Sequence, residues 1–267
     1  MAERWDIFCR VVDNFGDAGV CWRLARKLAL EHRLRVRLWI DHLPTLARLH
    51  PAVVDALRQS LDGVEIFRWD AGRASAPHPS GAQVVIEAFG CGLPESYVEA
   101  MAREPRPPLW IVLEYLSAEP WVAAHHGLPS PHPRLPLERY FFFPGFVEGT
   151  GGLLREQDLF ARRDAFGAEQ REAFWRAAGH EPPPADALTV SMFAYDTAPL
   201  EALLQVWETA ARTTVVAIPE GKLAAAALRY LDGGSVPAGR VLRRGALEAR
   251  VMPFLPQARF DELLWSC

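Results

Sequence analysis

Residues 10–19 read RVVDNFGDAG and carry two aspartates, Asp13 and Asp17, between an apolar run and an amphipathic one. In an α/β protein a glycine-rich loop at such a place brings backbone against a pyrophosphate at the positive end of the following helix. Two carboxylates repel phosphate, so a nucleotide is not expected on this turn. They suit a cation instead: a metal ion, or a guanidinium that a carboxylate grips through two parallel hydrogen bonds. One aspartate alone is ordinarily a helix cap. Two of them, spaced by Asn14, Phe15 and Gly16, put an aromatic ring between carboxylates at the end of a strand, which is the making of a pocket.

The elements that must position this turn follow from hydrophobic periodicity. WDIFCRVV reads as a buried strand and GVCWRLARKLALEH as a helix whose apolar stripe is Val20, Leu24, Leu28 and Ala25. The strand RVRLWID completes a βαβ unit. The pattern recurs in VEIFRW, AQVVIEAFG, the helix LPESYVEAMARE and the strand LWIVLEYL, so the first half is expected to be a mostly parallel sheet covered on both faces. From Ser117 to Pro136 five prolines and three histidines interrupt any period, which predicts a long surface loop. RYFFFPGF returns the chain to the sheet. The segment VEGTGGLLREQDLFARRDAF, glycine-rich and then charged, sets the domain boundary, giving domains 1–155 and 156–267.

Beyond it alternation restarts: helix AEQREAFWRAAG, strand ALTVSMFAY, helix PLEALLQVWETAA, strand TTVVAIP, helix KLAAAALRYL, strand ARVMPFLP and a final helix ARFDELLWSC. The fold class is therefore α/β, with two Rossmann-like domains expected to face each other across a cleft at the carboxyl ends of their strands. Only three strands are legible in the second domain.

Bulk composition narrows the function. Half of the 267 residues are hydrophobic, enough for a sizeable core, and no apolar stretch approaches the roughly 20 residues of a membrane-spanning helix. Acidic residues outnumber basic ones 33 to 29 without long runs of one sign, which argues against a general nucleic-acid or membrane-surface binder. Cys9, Cys21, Cys91 and Cys267 form no CxxC pair, and MAERWDIF lacks the layout of a signal peptide, so reduced thiols in the cytoplasm are expected. His125, His126 and His132 lie at no metal-ligand spacing and read as solvated loop residues. No metal is assigned. An NAD-dependent oxidoreductase is disfavoured because aspartates stand where GxGxxG belongs.

The stretch WDIFCRVVDNFGDAGVCWRLARKLA closely resembles the amino-terminal signature of the protein-arginine rhamnosyltransferases, the EarP family, which modify bacterial translation elongation factor P. The resemblance continues through VVIEAFGCGLPESYVEAM, WIVLEYLSAEPWV, FFFPGFVEGTGGLLRE, SMFAYDTAPLEALLQVW and VMPFLPQARFDELLWSC, essentially the whole chain. It implies a GT-B glycosyltransferase that uses dTDP-β-L-rhamnose as donor, held mainly by the carboxyl-terminal domain, and an arginine side chain of elongation factor P as acceptor, with no cofactor. Of the two partners left open by the residues, metal or guanidinium, the resemblance implies the guanidinium. It also implies Asp17 as base, Asp13 as the group that orients the acceptor, and inversion at the anomeric carbon, with Asn14, Phe15, Gly16 and Asp17 around the sugar.

An aromatic residue at a strand end usually packs in a core. The resemblance instead implies that Tyr195 and Gln257, together with Phe193 and Phe254, hold the nucleotide, by stacking and by the amide's donor and acceptor. Members of the family continue past this carboxyl terminus into an Arg-Gly-Glu-Asp-Ser motif that meets the donor diphosphate, so the second domain is expected to be incomplete and the chain weak or inactive alone. Two alternatives stand beside this reading: a noncatalytic fragment that binds elongation factor P, and a GT-B transferase for another nucleotide sugar.

Overall fold

The computed structural model describes residues 3–12, 15–69, 81–195, 198–231 and 240–267, with backbone alone at 257 and 258. The chain divides into two compact units, Met1–Gln157 and Asp158–Cys267.

In the first unit the chain runs β1 (Arg4–Cys9), α1 (Gly16–Leu30), β2 (Arg35–Ile40), α2 (Leu43–Leu49), β3 (Arg58–Leu61), β4 (Val64–Arg68) and β5 (Val84–Ala88). It continues through α3 (Glu95–Arg103), β6 (Leu109–Leu113), α4 (Val122–His125), β7 (Pro129–Pro131) and β8 (Glu138–Phe142). The sheet order is β3-β4-β2-β1-β5-β6-β8-β7. The six strands from β4 to β8 are parallel, and β3 and β7 close the two edges antiparallel. Counting parallel strands alone, the order is 3-2-1-4-5-6, the doubly wound arrangement, which reverses direction at β1. The crevice at that reversal is bounded by the loops that leave β1 and β5.

Strands buried on both faces read as continuous apolar runs. β5, VVIEA, is buried at every position and β1 at its last four. Phe8, Trp39, Trp69, Tyr97, Met101 and Trp110 form the core beneath α3. One charge pair sits inside it. Asp6 and Arg37 are direct partners in the β1–β2 register, and the Arg37 Nε donates to Asp6 Oδ1 at 2.6 Å while its terminal nitrogen and the Tyr97 hydroxyl donate to Oδ2. On α1 the buried face is Ala18, Cys21, Trp22, Ala25 and Leu28, one step round from the stripe read in the sequence; Val20 is 40% exposed. Counting only aliphatic side chains overlooked Cys21 and Trp22, both fully enclosed.

The segment 117–136 is a correction. It holds α4 and the edge strand β7, whose Pro129 and Pro131 are tolerated because an edge leaves one side of the backbone unpaired. Its histidines are hydrogen-bonded: His125 Nδ1 to the Trp121 carbonyl, His126 Nδ1 to the Phe143 amide, and His132 Nδ1 to the amides of Arg134 and Leu135. They fasten turns, with His125 exposed and His126 and His132 half-buried.

The second unit contains α5 (Leu159–Asp164), α6 (Ala168–Ala177), β9 (Leu188–Ser191), α7 (Leu200–Glu208), β10 (Thr214–Pro219), α8 (Lys222–Leu231), β11 (Val241–Arg244), β12 (Leu247–Met252) and α9 (Gln257–Trp265). Its sheet order is β11-β12-β10-β9, with β9, β10 and β12 parallel. The fourth strand, β11, went unread: VLRR is short and half polar, and pairs antiparallel to β12 through a turn at Gly245. Alternate residues of the central strands feed opposite faces. Val216, Ile218, Ala249 and Val251 pack with α7 and α8, whereas Ala217 and Met252 pack with Phe174, Trp175 and Leu263 of α6 and α9.

Candidate functional site

The β1–α1 loop leaves the sheet at its reversal point, and Asp17 sits in the first turn of α1, where a carboxylate is favoured by the helix dipole. The residue is fully buried. The Val12 amide donates to its Oδ2 at 2.8 Å and the Tyr115 hydroxyl to its Oδ1 at 2.9 Å. Asp17 therefore ties the loop back onto itself and onto the end of β6. The helix N-cap is Phe15, which makes no side-chain capping bond. Phe15 lies under the Arg48 guanidinium, 5.1 Å from its ring centroid. Gly16 opens the helix. Asp13 and Asn14 lie outside the described residues.

Tyr115 was not singled out in the sequence, because LWIVLEYL reads as one strand. β6 ends at Leu113, so Glu114 and Tyr115 lie just past its carboxyl end, level with the β1–α1 loop. The available signal was the charged Glu114 breaking an apolar run. The Tyr115 ring stacks on Phe89, with centroids 4.2 Å apart and planes 11° from parallel. Phe89, the first residue after β5, has φ +56°, a left-handed backbone that a bulky side chain rarely adopts and that costs on the order of 1–3 kcal/mol. Its amide donates to the Leu113 carbonyl at 2.6 Å, which joins the ends of β5 and β6.

Below this pair lies a second carboxylate. Glu87 is buried and accepts from the Gly92 amide at 2.9 Å and from Trp110 Nε1 at 3.1 Å. Burial, and then the Glu87 charge, push the Glu114 carboxyl above its ordinary value. The Cys91 thiol, raised chiefly by burial, and Cys9, raised by its hydrogen bond with Cys21 and by burial, are not nucleophiles in this setting. All four cysteines are free. Among the described residues no group of three His, Cys, Asp or Glu side chains is placed to hold a metal ion.

Chemically, Asp17 is a carboxylate oriented by the Val12 amide on one oxygen and the Tyr115 hydroxyl on the other, an acceptor group suited to a proton or a cationic donor.

In the second unit, β9 ends at Ser191, so Phe193 and Tyr195 stand beyond its carboxyl end rather than in the strand. They are 78% and 66% exposed, which rules out the core role that isolated aromatics usually have. Phe254 is half-buried in the loop after β12, and Gln257 is the first residue of α9. Phe193 and Tyr195 thus follow the carboxyl end of β9, and Phe254 and Gln257 that of β12, two parallel strands separated by β10.

A sequence model of the family described as "Elongation-Factor P (EF-P) rhamnosyltransferase EarP" matches residues 5–267. The chain belongs to the EarP family. Among its relatives, a Pseudomonas putida protein named "Protein-arginine rhamnosyltransferase" is 48% identical over 270 residues, covering 100% of this chain and 70% of the relative. A Pseudomonas aeruginosa protein of the same name is 45% identical over 266 residues, covering 98% and 69%. A solved structure described as "Structural basis for EarP-mediated arginine glycosylation of translation elongation factor EF-P" matches with a TM-score of 0.59 at 34% identity, covering 99% of this chain and 65% of that one. These EarP relatives are glycosyltransferases, and the chain shares their α/β architecture of the GT-B class. It spans 70% or less of the length of each of the three. Among the described residues no helix is long and apolar enough to cross a membrane.

Proposed function

We propose that this EarP-family chain transfers rhamnose from dTDP-β-L-rhamnose to an arginine side chain of translation elongation factor P, in the cytoplasm, with inversion at the anomeric carbon. The observation that carries the reading is the Asp17 carboxylate, fixed by Val12 and Tyr115 at the strand-order reversal of the first sheet.

Arginine is a poor nucleophile: its lone pairs are delocalised and its pKa lies above about 12. A transferase must hold one guanidinium nitrogen against the anomeric carbon and accept its proton as the bond forms. In this reading the nitrogen–carbon bond forms as the bond from that carbon to the diphosphate oxygen breaks. The diphosphate leaves with the electron pair, and the proton passes to Asp17. Asp13 orients the guanidinium, and Asn14, Phe15 and Gly16 line the sugar. Tyr195 and Phe193, with Phe254 and Gln257, hold the thymidine diphosphate; the exposure of the first two supports this assignment. No metal or cofactor is part of the reaction.

The test is the intact mass of elongation factor P after incubation with the donor and this chain. A deoxyhexose-sized gain is expected, slowed by roughly 10²- to 10⁴-fold in Asp17→Asn, the range for loss of a general base. Elongation factor P that is bound but gains no mass would favour a noncatalytic binding fragment, and undiminished transfer by Asp17→Asn would remove Asp17 from the chemistry.

A further inference from the structure

We infer that Tyr115, braced by Phe89, is a positioning residue for Asp17, setting the direction in which its carboxylate meets the acceptor. The inference rests on the proposed role of Asp17 as base. Two independent features point to it. The first is the Tyr115 hydroxyl on Asp17 Oδ1, opposite the Val12 amide on Oδ2, which leaves the carboxylate no freedom to turn about its own axis without losing a bond. The second is the backbone of Phe89. A phenylalanine at φ +56° is held against its own preference, and what the conformation achieves is a ring lying flat on Tyr115. A half-exposed tyrosine just past a strand would otherwise choose among several rotamers.

The device is built from three different strand ends. Asp17 hangs from the loop after β1, Phe89 from the end of β5 and Tyr115 from the end of β6, and the Phe89 amide bond to Leu113 keeps the last two in step. Tyr115 need not touch the sugar or the guanidinium. Its effect is transmitted through one hydrogen bond, so it falls on the rate of the chemical step rather than on substrate affinity.

A double-mutant cycle separates this role from a merely structural one. Tyr115→Phe keeps the stack on Phe89 and removes only the hydroxyl. Its kcat is expected to fall roughly tenfold or more, with KM for donor and acceptor changed by less than about twofold, and to fall no further when the same change is made in Asp17→Asn. Phe89→Leu should lower kcat in the same direction while leaving the hydroxyl in place. An unchanged kcat in Tyr115→Phe, or an equal further drop on Asp17→Asn, would overturn the inference.

A second readout needs no activity: hydrogen exchange of the Val12 amide, which shares the Asp17 carboxylate. Freed of Tyr115, the carboxylate turns and Val12 exchange should quicken at least fivefold; unaltered exchange sinks the proposal. Failure of the wild-type chain to transfer sugar would count against the functional reading, while the Val12 arm would still decide whether Tyr115 holds Asp17.

Discussion

Replacing Arg37 by methionine removes the only ion-pair partner of Asp6 among the described residues, deep in the first unit. Asp6 is fully buried and the Arg37 side chain is 10% exposed, so neither charge has water to fall back on. The wild-type carboxylate takes two bonds from the guanidinium, at 2.6 and 2.5 Å, and one from Tyr97. Methionine fills much of the volume but leaves the carboxylate with Tyr97 alone, and breaking a buried pair from one side costs about 3–5 kcal/mol. Tyr97→Phe, which removes one bond to a charged acceptor, should cost about 1.5–3 kcal/mol.

The pH dependence has a definite sign. Burial pushes the Asp6 carboxyl up and the Arg37 bonds and charge pull it down, with a net rise. Without Arg37 only the Tyr97 bond and the Arg4 charge still pull it down, and the folded value climbs further. A group raised in the folded state contributes stability below its unfolded value, near 3.8, and loses it as pH rises through the folded value. Arg37→Met should therefore come nearest to wild type around pH 4 and fall behind steadily towards pH 8. Hydrogen exchange of β1 and β2 amides as a function of urea reads this for the first unit by itself. A cost below about 1 kcal/mol at pH 7, or a deficit that shrinks as pH rises, would refute the reasoning. The double change Asp6→Leu with Arg37→Met should recover most of the loss, because the apolar pair has no charge to desolvate.

Three further outcomes are expected. Gly245→Ala should destabilise the second unit by at least about 1–2 kcal/mol, measured by thermal denaturation, since φ is +58° and an added Cβ would stand 2.3 Å from the Glu208 carbonyl oxygen. Glu114→Gln should raise the melting temperature at pH 7 and lose that advantage near pH 4.5, because the raised carboxyl costs stability only when it must ionise; an advantage independent of pH would mean that the carboxyl is not the cause. Tyr195→Ala should weaken dTDP binding by roughly 5- to 150-fold in calorimetry, the worth of about 1–3 kcal/mol of base stacking, while an affinity unchanged within twofold would take Tyr195 out of the nucleotide site.

Which elements were legible follows from where they sit. The central strands β1, β2, β5, β10 and β12 are largely buried on both faces, β6 is buried on one, and all leave long apolar runs, so each was visible. The edge strands β3, β7 and β11 were not. RQSL, PSP and VLRR have no run and little alternation, and become strands only because a neighbour offers them a hydrogen-bonding edge. Of the loop histidines, His126 alone bonds to a segment that the chain brings back later, the Phe143 amide, whereas His125 and His132 bond within four residues.

The acidic turn was visible as chemistry because two aspartates in a strand-to-helix loop exclude the phosphate that glycines there would hold. Residue types and local spacing suffice for that, along with the α/β class, the positions of the buried strands and the resemblance that names the family. What surrounds Asp17 required the fold. Tyr115 and Phe89 lie 98 and 72 residues away along the chain and reach its neighbourhood only because β5 and β6 pair in register beside β1. Hydrophobic periodicity records which face of an element is buried, but not which strand ends meet; that is decided by sheet order, and the strained backbone of Phe89 exists only once the order is set.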